Sequence, residues 1–154
     1  MKSLSAMLNR YQGAGPLVLR IALGVIFTYH GIDKFRAGLD MVEGAFDGWG
    51  VPAPAISAAA VAVIEIAAGL ALIAGVATRL AAGLLALVIL GAIAFVKADL
   101  GLISDVAMPG LELDLALLAG LVSLTLTGPG WLGADAALGT EAPAAEPVTQ
   151  PSMA

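Results

Sequence analysis

Four stretches of this chain, at about 16–35, 54–76, 80–97 and 111–126, are almost wholly apolar. Each comes near the roughly 20 residues that an α-helix needs to cross a bilayer core of about 30 Å. Short connections rich in proline and glycine separate them: Val51-Pro52-Ala53-Pro54 before the second, Met108-Pro109-Gly110 before the fourth and Gly128-Pro129-Gly130 after it. Backbone surrounded by lipid has to satisfy its own hydrogen bonds, so this spacing predicts an all-α chain. The expected architecture is a four-helix transmembrane bundle with a short interfacial segment between helices 1 and 2.

Composition supports a bilayer solvent. Of 154 residues, 60% are hydrophobic and only 12% charged, against roughly 25% charged in an average soluble domain. The apolar mass is mainly Ala, Leu, Val, Ile and Gly, residues that let membrane helices approach closely. There is no cysteine, which excludes disulfides, thiolate zinc sites and iron–sulfur ligation by this chain. No metal site and no intrinsic cofactor are expected. The net charge of −5 and the absence of a basic patch speak against a nucleic-acid partner.

Residues 1–15, with Lys2 and Arg10, read as a cytoplasmic lead-in, residues 16–133 as the transmembrane domain and 134–154 as a disordered tail. Ala53-Pro54-Ala55 has the small-x-small look of a signal-peptide cleavage site. It lies too far beyond the first apolar run, so the N-terminus is expected to stay on. Arg36 to Gly50 mixes Asp40, Glu43 and Asp47 with Phe46 and Trp49, which fits a segment lying at the interface, and Trp49 and Trp131 are candidate interfacial anchors. An even number of spans places both termini on one side. The slight excess of Lys2, Arg10, Arg20 and Arg79 there over Lys34, Arg36 and Lys97 opposite puts the termini in the cytoplasm.

The spans carry ionisable groups, which cost about 2.5–3.5 kcal/mol each at a bilayer centre on insertion scales and so face a bundle interior. At about 100° per residue, Arg20, Lys34 and His30 fall on one side of the first helix together with Gly24 and Gly31. On the second, Ala58, Ala62, Glu65 and Gly69 follow the three-and-four spacing of a packing face. On the fourth, Glu112, Ala116, Ala119 and Ser123 form a similar face, which places Glu112 inside and Asp114 at the interface. Rise per residue puts Glu65 near mid-membrane and His30, Lys34, Lys97 and Glu112 toward the non-cytoplasmic end, as one polar cluster with Arg20 paired to Glu65. Such charges also serve only to anchor helix ends or to specify helix pairing. A functional cluster would bind a polar headgroup, a quinone-like ring or a proton, with His30 and Glu65 exchanging protons. An internal echo accompanies it: Arg20-Ile21-Ala22-Leu23-Gly24 and Arg79-Leu80-Ala81-Ala82-Gly83 each open a helix that ends near a lysine and is followed by a helix with a glutamate. Chance similarity among Ala-, Gly- and Leu-rich segments is the competing explanation.

These motifs resemble the DoxX family over about residues 16–133. The resemblance rests on Arg20 with Gly24, on His30-Gly31 followed by Lys34, on the turn Gly50-Val51-Pro52-Ala53-Pro54, on Glu65 with Gly69 and Gly75 then Thr78-Arg79, and on Glu112 before Gly128-Pro129-Gly130. It implies a four-helix protein of the bacterial inner membrane, acting as an accessory or anchor subunit of a quinone-linked oxidoreductase. A quinone is the implied cofactor, and a redox protein or a second copy the implied partner within the lipid bilayer. The lack of cysteine and of a second histidine means that no redox centre carries over. Two other readings stay open: a small proton-coupled carrier of a polar metabolite, and a non-catalytic interaction protein.

Overall fold

The computed structural model describes Leu8 and residues 11–98, 101–103 and 110–139; the rest of the lead-in, Met108-Pro109 and the tail from 140 onward lie outside the described residues. Every regular element among the described residues is helical: α1 (Ala14–Ala37), α2 (Leu39–Gly48), α3 (Pro54–Ala74), α4 (Thr78–Gly91), α5 (Leu111–Thr127) and a short α6 (Ala134–Leu138). The last lies within the segment read as disordered from sequence. α4 runs on into a π-helical turn, Ala92–Val96. Among the described residues, three helices are long and apolar enough to cross a membrane: α1, α3 and α4 with its π turn. α5 has 17 residues, about 25 Å at 1.5 Å per residue. Large apolar side chains stand exposed around the bundle, among them Val18, Ile56, Leu80, Leu87 and Leu126, as lipid-facing surface does and as a water-soluble monomer avoids.

Helix boundaries follow local chemistry. Pro54 opens α3, where its missing N–H is no loss and its fixed φ suits the first turn. Gly75 ends α3 in the left-handed region with φ 69°, and Val76 N–H donates back to Ala71 O at 3.0 Å, the six-to-one bond of a glycine-terminated helix.

The helices pair as two hairpins. α1 packs along α3 and α4 along α5, with α2 laid on α3. The α1–α3 contact is close because it is made of glycine: a Cβ at Gly24 would lie 2.7 Å from Gly69 O, and one at Gly31 would lie 2.7 Å from Ala62 O. The α4–α5 contact is built instead from Leu85, Ile89, Leu121 and Leu124, which join Leu23, Phe27 and Leu72 in the core.

α5 is rotated from its expected setting. Asp114, Leu121 and Leu124 are its buried residues, whereas Glu112, Ala116, Ala119 and Ser123 are exposed. The leucine face fills the wide space between hairpins, which the alanine face is too small to occupy. Asp114, about 200° from Glu112 on the helix, is thereby turned inward.

Candidate functional site: a chamber beside a buried ion pair

Arg20 is 2% exposed and does not pair with Glu65. Its guanidinium donates instead to five backbone carbonyls. Nη1 reaches Leu72 O at 2.9 Å and Ile73 O at 2.5 Å, Nε reaches Pro129 O at 3.1 Å, and Nη2 reaches Leu132 O at 2.9 Å and Trp131 O at 3.3 Å. The antiparallel register explains the difference. Gly24 lies against Gly69 and Ile73, so Arg20, one turn earlier on α1, faces the end of α3, about two turns beyond Glu65. There the last carbonyls of a helix lack intrahelical partners, and a cation complements the negative end of the helix dipole. Next to it Asp135 accepts from Ala77 N at 2.6 Å and Thr78 N at 3.0 Å, capping α4 at a left-handed alanine, φ 46°. Arg20 and Asp135 thus clasp the α3–α4 turn to the segment after α5.

Glu65 pairs with Lys34, Nζ to Oε2 at 2.6 Å, with only 7% of its side chain exposed. Helical side chains lean toward the N-terminus, which carries the Lys34 ammonium back along α1 toward mid-membrane. Lys97 makes a second pair with Asp114, Nζ to Oδ2 at 2.5 Å, and reaches Gly110 O at 3.5 Å. The expected single cluster is therefore two separate ion pairs. Glu112 is in neither, and its place on the inward face is taken by Asp114. His30 is exposed on α1. Among the described residues no three His, Asp or Glu side chains converge as a metal-ligand group.

The Lys34–Glu65 pair opens onto a chamber of about 580 Å³, within the range of small-molecule sites. Its wall is apolar apart from that pair and Ser57: Phe46, Trp49 and Pro52 close it from the α2 side, Val61 and Ile64 come from α3, and Leu87 and Phe95 from α4 and its π turn. Neither His30, Lys97 nor Glu112 lines it. A single π turn inside an α-helix is often found at functional sites; here it brings Ala92, Phe95 and Val96 to the chamber.

The DoxX family profile matches residues 15–98, a stretch that holds both members of the Lys34–Glu65 pair and every residue lining the chamber. The chain belongs to the DoxX family. This DoxX protein is 34% identical over 129 residues to "Putative oxidoreductase CatD" of Bacillus subtilis (strain 168), covering 83% of this chain and 90% of that one. It is 31% identical over 138 residues to "Uncharacterized membrane protein Rv3486" of Mycobacterium tuberculosis (strain ATCC 25618 / H37Rv), covering 83% of each chain. No solved structure matches it. α5 with Asp114, and the Pro129, Trp131 and Leu132 carbonyls that hold Arg20, lie beyond the profile match.

Sequence reasoning placed Phe46 and Trp49 at the membrane interface and did not bring them over the charged pair. The signal was available in part. A ten-residue amphipathic stretch joined to α3 by Val51-Pro52-Ala53-Pro54 has little choice but to fold back across the head of that helix. Phe95 had no such signal, since it reaches the chamber through a π turn that hydropathy does not register.

Proposed function

We propose that this DoxX protein is an accessory or anchor subunit of a quinone-linked oxidoreductase in the bacterial inner membrane, and that the chamber receives the quinone ring. The observation that carries this reading is an aromatic-rimmed apolar chamber of about 580 Å³ whose only charged groups are Lys34 and Glu65. A flat, uncharged ring with oxygens at its edge matches that lining, whereas a charged or polyhydroxylated metabolite would leave most of its polar groups against Val61, Ile64, Leu87 and Phe95. The name of the Bacillus relative supports an oxidoreductase setting.

When bound, a quinone supplies two-electron, two-proton chemistry. The chain's own residues do the rest. Phe46, Trp49 and Phe95 hold the ring and exclude water. The Lys34 ammonium donates a hydrogen bond to a ring oxygen, and Glu65 holds or releases a proton beside it, a task for which intramembrane carboxylates are suited. With no cysteine and one histidine, the chain leaves electron delivery to a partner redox protein.

Four spans complete the proposed topology, α5 being the fourth, with both termini cytoplasmic. The chain has no native cysteine, so single cysteines placed at Gly38 and Leu132 report their side of the membrane to an impermeant thiol label without background from the chain itself. Labelling of Gly38→Cys from outside and Leu132→Cys only after permeabilisation is expected; the same side for both would overturn the topology.

Trp49 makes the binding claim measurable. Titrating the protein in nanodiscs with a lipid quinone is expected to quench tryptophan emission saturably. Trp49→Phe should remove most of that quenching and Trp131→Phe should leave it. A linear, unsaturable response equal in both variants would refute the ring site, and mild-detergent purification that never recovers a redox protein would refute the subunit role.

A further inference from the structure

A second cavity, of about 250 Å³, lies between α3 and α4. It shares Ile64 and Leu84 with the chamber, so the two are contiguous. From that junction it runs along the helices to Ala71 on α3 and to Ala77 at the head of α4, seven residues on each side and about 10 Å at 1.5 Å per residue. That direction leads away from α2 and from the charged pair, toward the α3–α4 turn. Its floor is alanine, its rim includes Val63 and Leu80, both more than half exposed, and no charged or hydroxyl side chain enters it.

A ring-sized chamber with one charged edge, continued by a narrow apolar trough parallel to the helices, has the outline of an amphiphile with a compact head and a linear tail. We propose that the α3–α4 groove takes the hydrocarbon tail of the quinone, so that the site recognises long-tailed lipid quinones and not the ring alone. This rests on the ring reading of the chamber. In a bilayer the tail gains nothing by leaving other hydrocarbon chains. The groove therefore acts through close packing against Ala67 and Ala71 and by fixing the direction from which the ring enters, so that its oxygens arrive at Lys34 and Glu65.

The test compares a quinone bearing a polyisoprenoid tail with the same ring bearing only a methyl group, titrated into nanodiscs of the wild type, Ala67→Phe and Leu80→Trp, with concentrations expressed per membrane volume so that partitioning cancels. Both substitutions are at exposed positions and fill the groove from opposite walls, so one serves if the other fails to fold. Wild type is expected to prefer the long-tailed form by about tenfold, some 1.4 kcal/mol. Either variant should bring that preference close to unity while leaving affinity for the tail-less ring unchanged. An unchanged preference in both variants would overturn the groove assignment and leave the chamber standing. Equal displacement of the quinone by a phospholipid of matching chain length would assign the groove to bulk lipid and also overturn it. Failure of both quinones to bind any of the three proteins would instead remove the ring reading beneath it.

Discussion

The two hairpins of this bundle use the same polar parts at different spacings. In α1–α3, Arg20 donates to the last carbonyls of α3 and Lys34 pairs with Glu65. In α4–α5, Arg79 donates to Thr125 O and Leu126 O near the end of α5, and Lys97 pairs with Asp114. The echo between the two arginine motifs thus has a counterpart in three dimensions: an arginine at the start of one helix holds the end of the next, and a lysine at its far end holds a carboxylate. Counting along the chain, Lys34 follows Arg20 by 14 residues and Lys97 follows Arg79 by 18; Leu72 follows Glu65 by 7 and Thr125 follows Asp114 by 11. Both intervals grow by four residues, about one helical turn or 6 Å. The second pair is accordingly one turn farther from its arginine than the first, and the first alone lines the apolar chamber. A repeat whose copies differ by a turn leaves one pair between packed helices and the other beside an open chamber.

The largest effect expected from breaking this correspondence is at the arginines. Arg20→Met takes a donor from five carbonyls, of which Leu72 O keeps the Gly75 N–H, and should lower stability by on the order of 5 kcal/mol, given a cost of about 1–3 kcal/mol for each buried group left unsatisfied and partial rehydration of those near the helix ends. Arg79 is exposed, and Arg79→Met should cost about 1 kcal/mol. Unfolding titrations in bicelles, run on the two variants side by side, measure the contrast. Equal losses would mean that the two clasps are equivalent.

Next come the lysines. Lys34→Met leaves Glu65 buried without a partner and should cost about 3–5 kcal/mol, most of it restored in Lys34→Met/Glu65→Leu, where neither charge remains. Lys97→Met and Lys97→Met/Asp114→Leu should follow the same pattern in stability. They should differ in function. The restored first pair is expected to bind no quinone and the restored second pair to bind as the wild type does, read from Trp49 quenching. Loss of binding in both doubles would make the chamber dependent on the bundle as a whole and not on its own charged pair.

How much of this was legible in sequence depends on what each feature requires. Spans, turns and the α2 segment follow from hydropathy and from prolines, which act locally. Most of the buried or paired charged residues were singled out too, because a charge in lipid needs a reason. Their pairing was not. Arg20 and Glu65 are close in depth on paper, and only the inter-helix register, fixed by Gly24 against Gly69, sends them to different partners. Asp114 against Glu112 was decided by which side of α5 packs, a choice between bulky Leu121 and Leu124 and a tidy row of small residues that favours small residues only where helices are pressed together. The chamber was beyond reach, since it is the space left where α2 folds back and α4 changes to a π turn.

The glycines give a third, smaller contrast. A Cβ at Gly69 would lie 2.9 Å from Gly24 O and 2.8 Å from Thr28 N, both backbone atoms that cannot yield without moving α1. Gly69→Ala should therefore cost about 2–3 kcal/mol through overpacking.

At Gly83 and Gly91, on the helix that opens the second hairpin, an added Cβ meets nothing within 4 Å. The α4–α5 interface is made by larger side chains, so these glycines are not spacers. Gly83→Ala should be neutral or stabilise by up to about 1 kcal/mol, the helix-propensity difference between the two residues, and should leave the Lys97–Asp114 pair undisturbed. Gly91 is the more informative of the two because it lines the chamber and immediately precedes the π turn. If Gly91→Ala raises stability as Gly83→Ala does while weakening quinone binding, then glycine is kept there for the space it leaves in the chamber and not for helix packing. Equal binding by the two variants would place the ring away from the π turn, closer to Trp49 and α2.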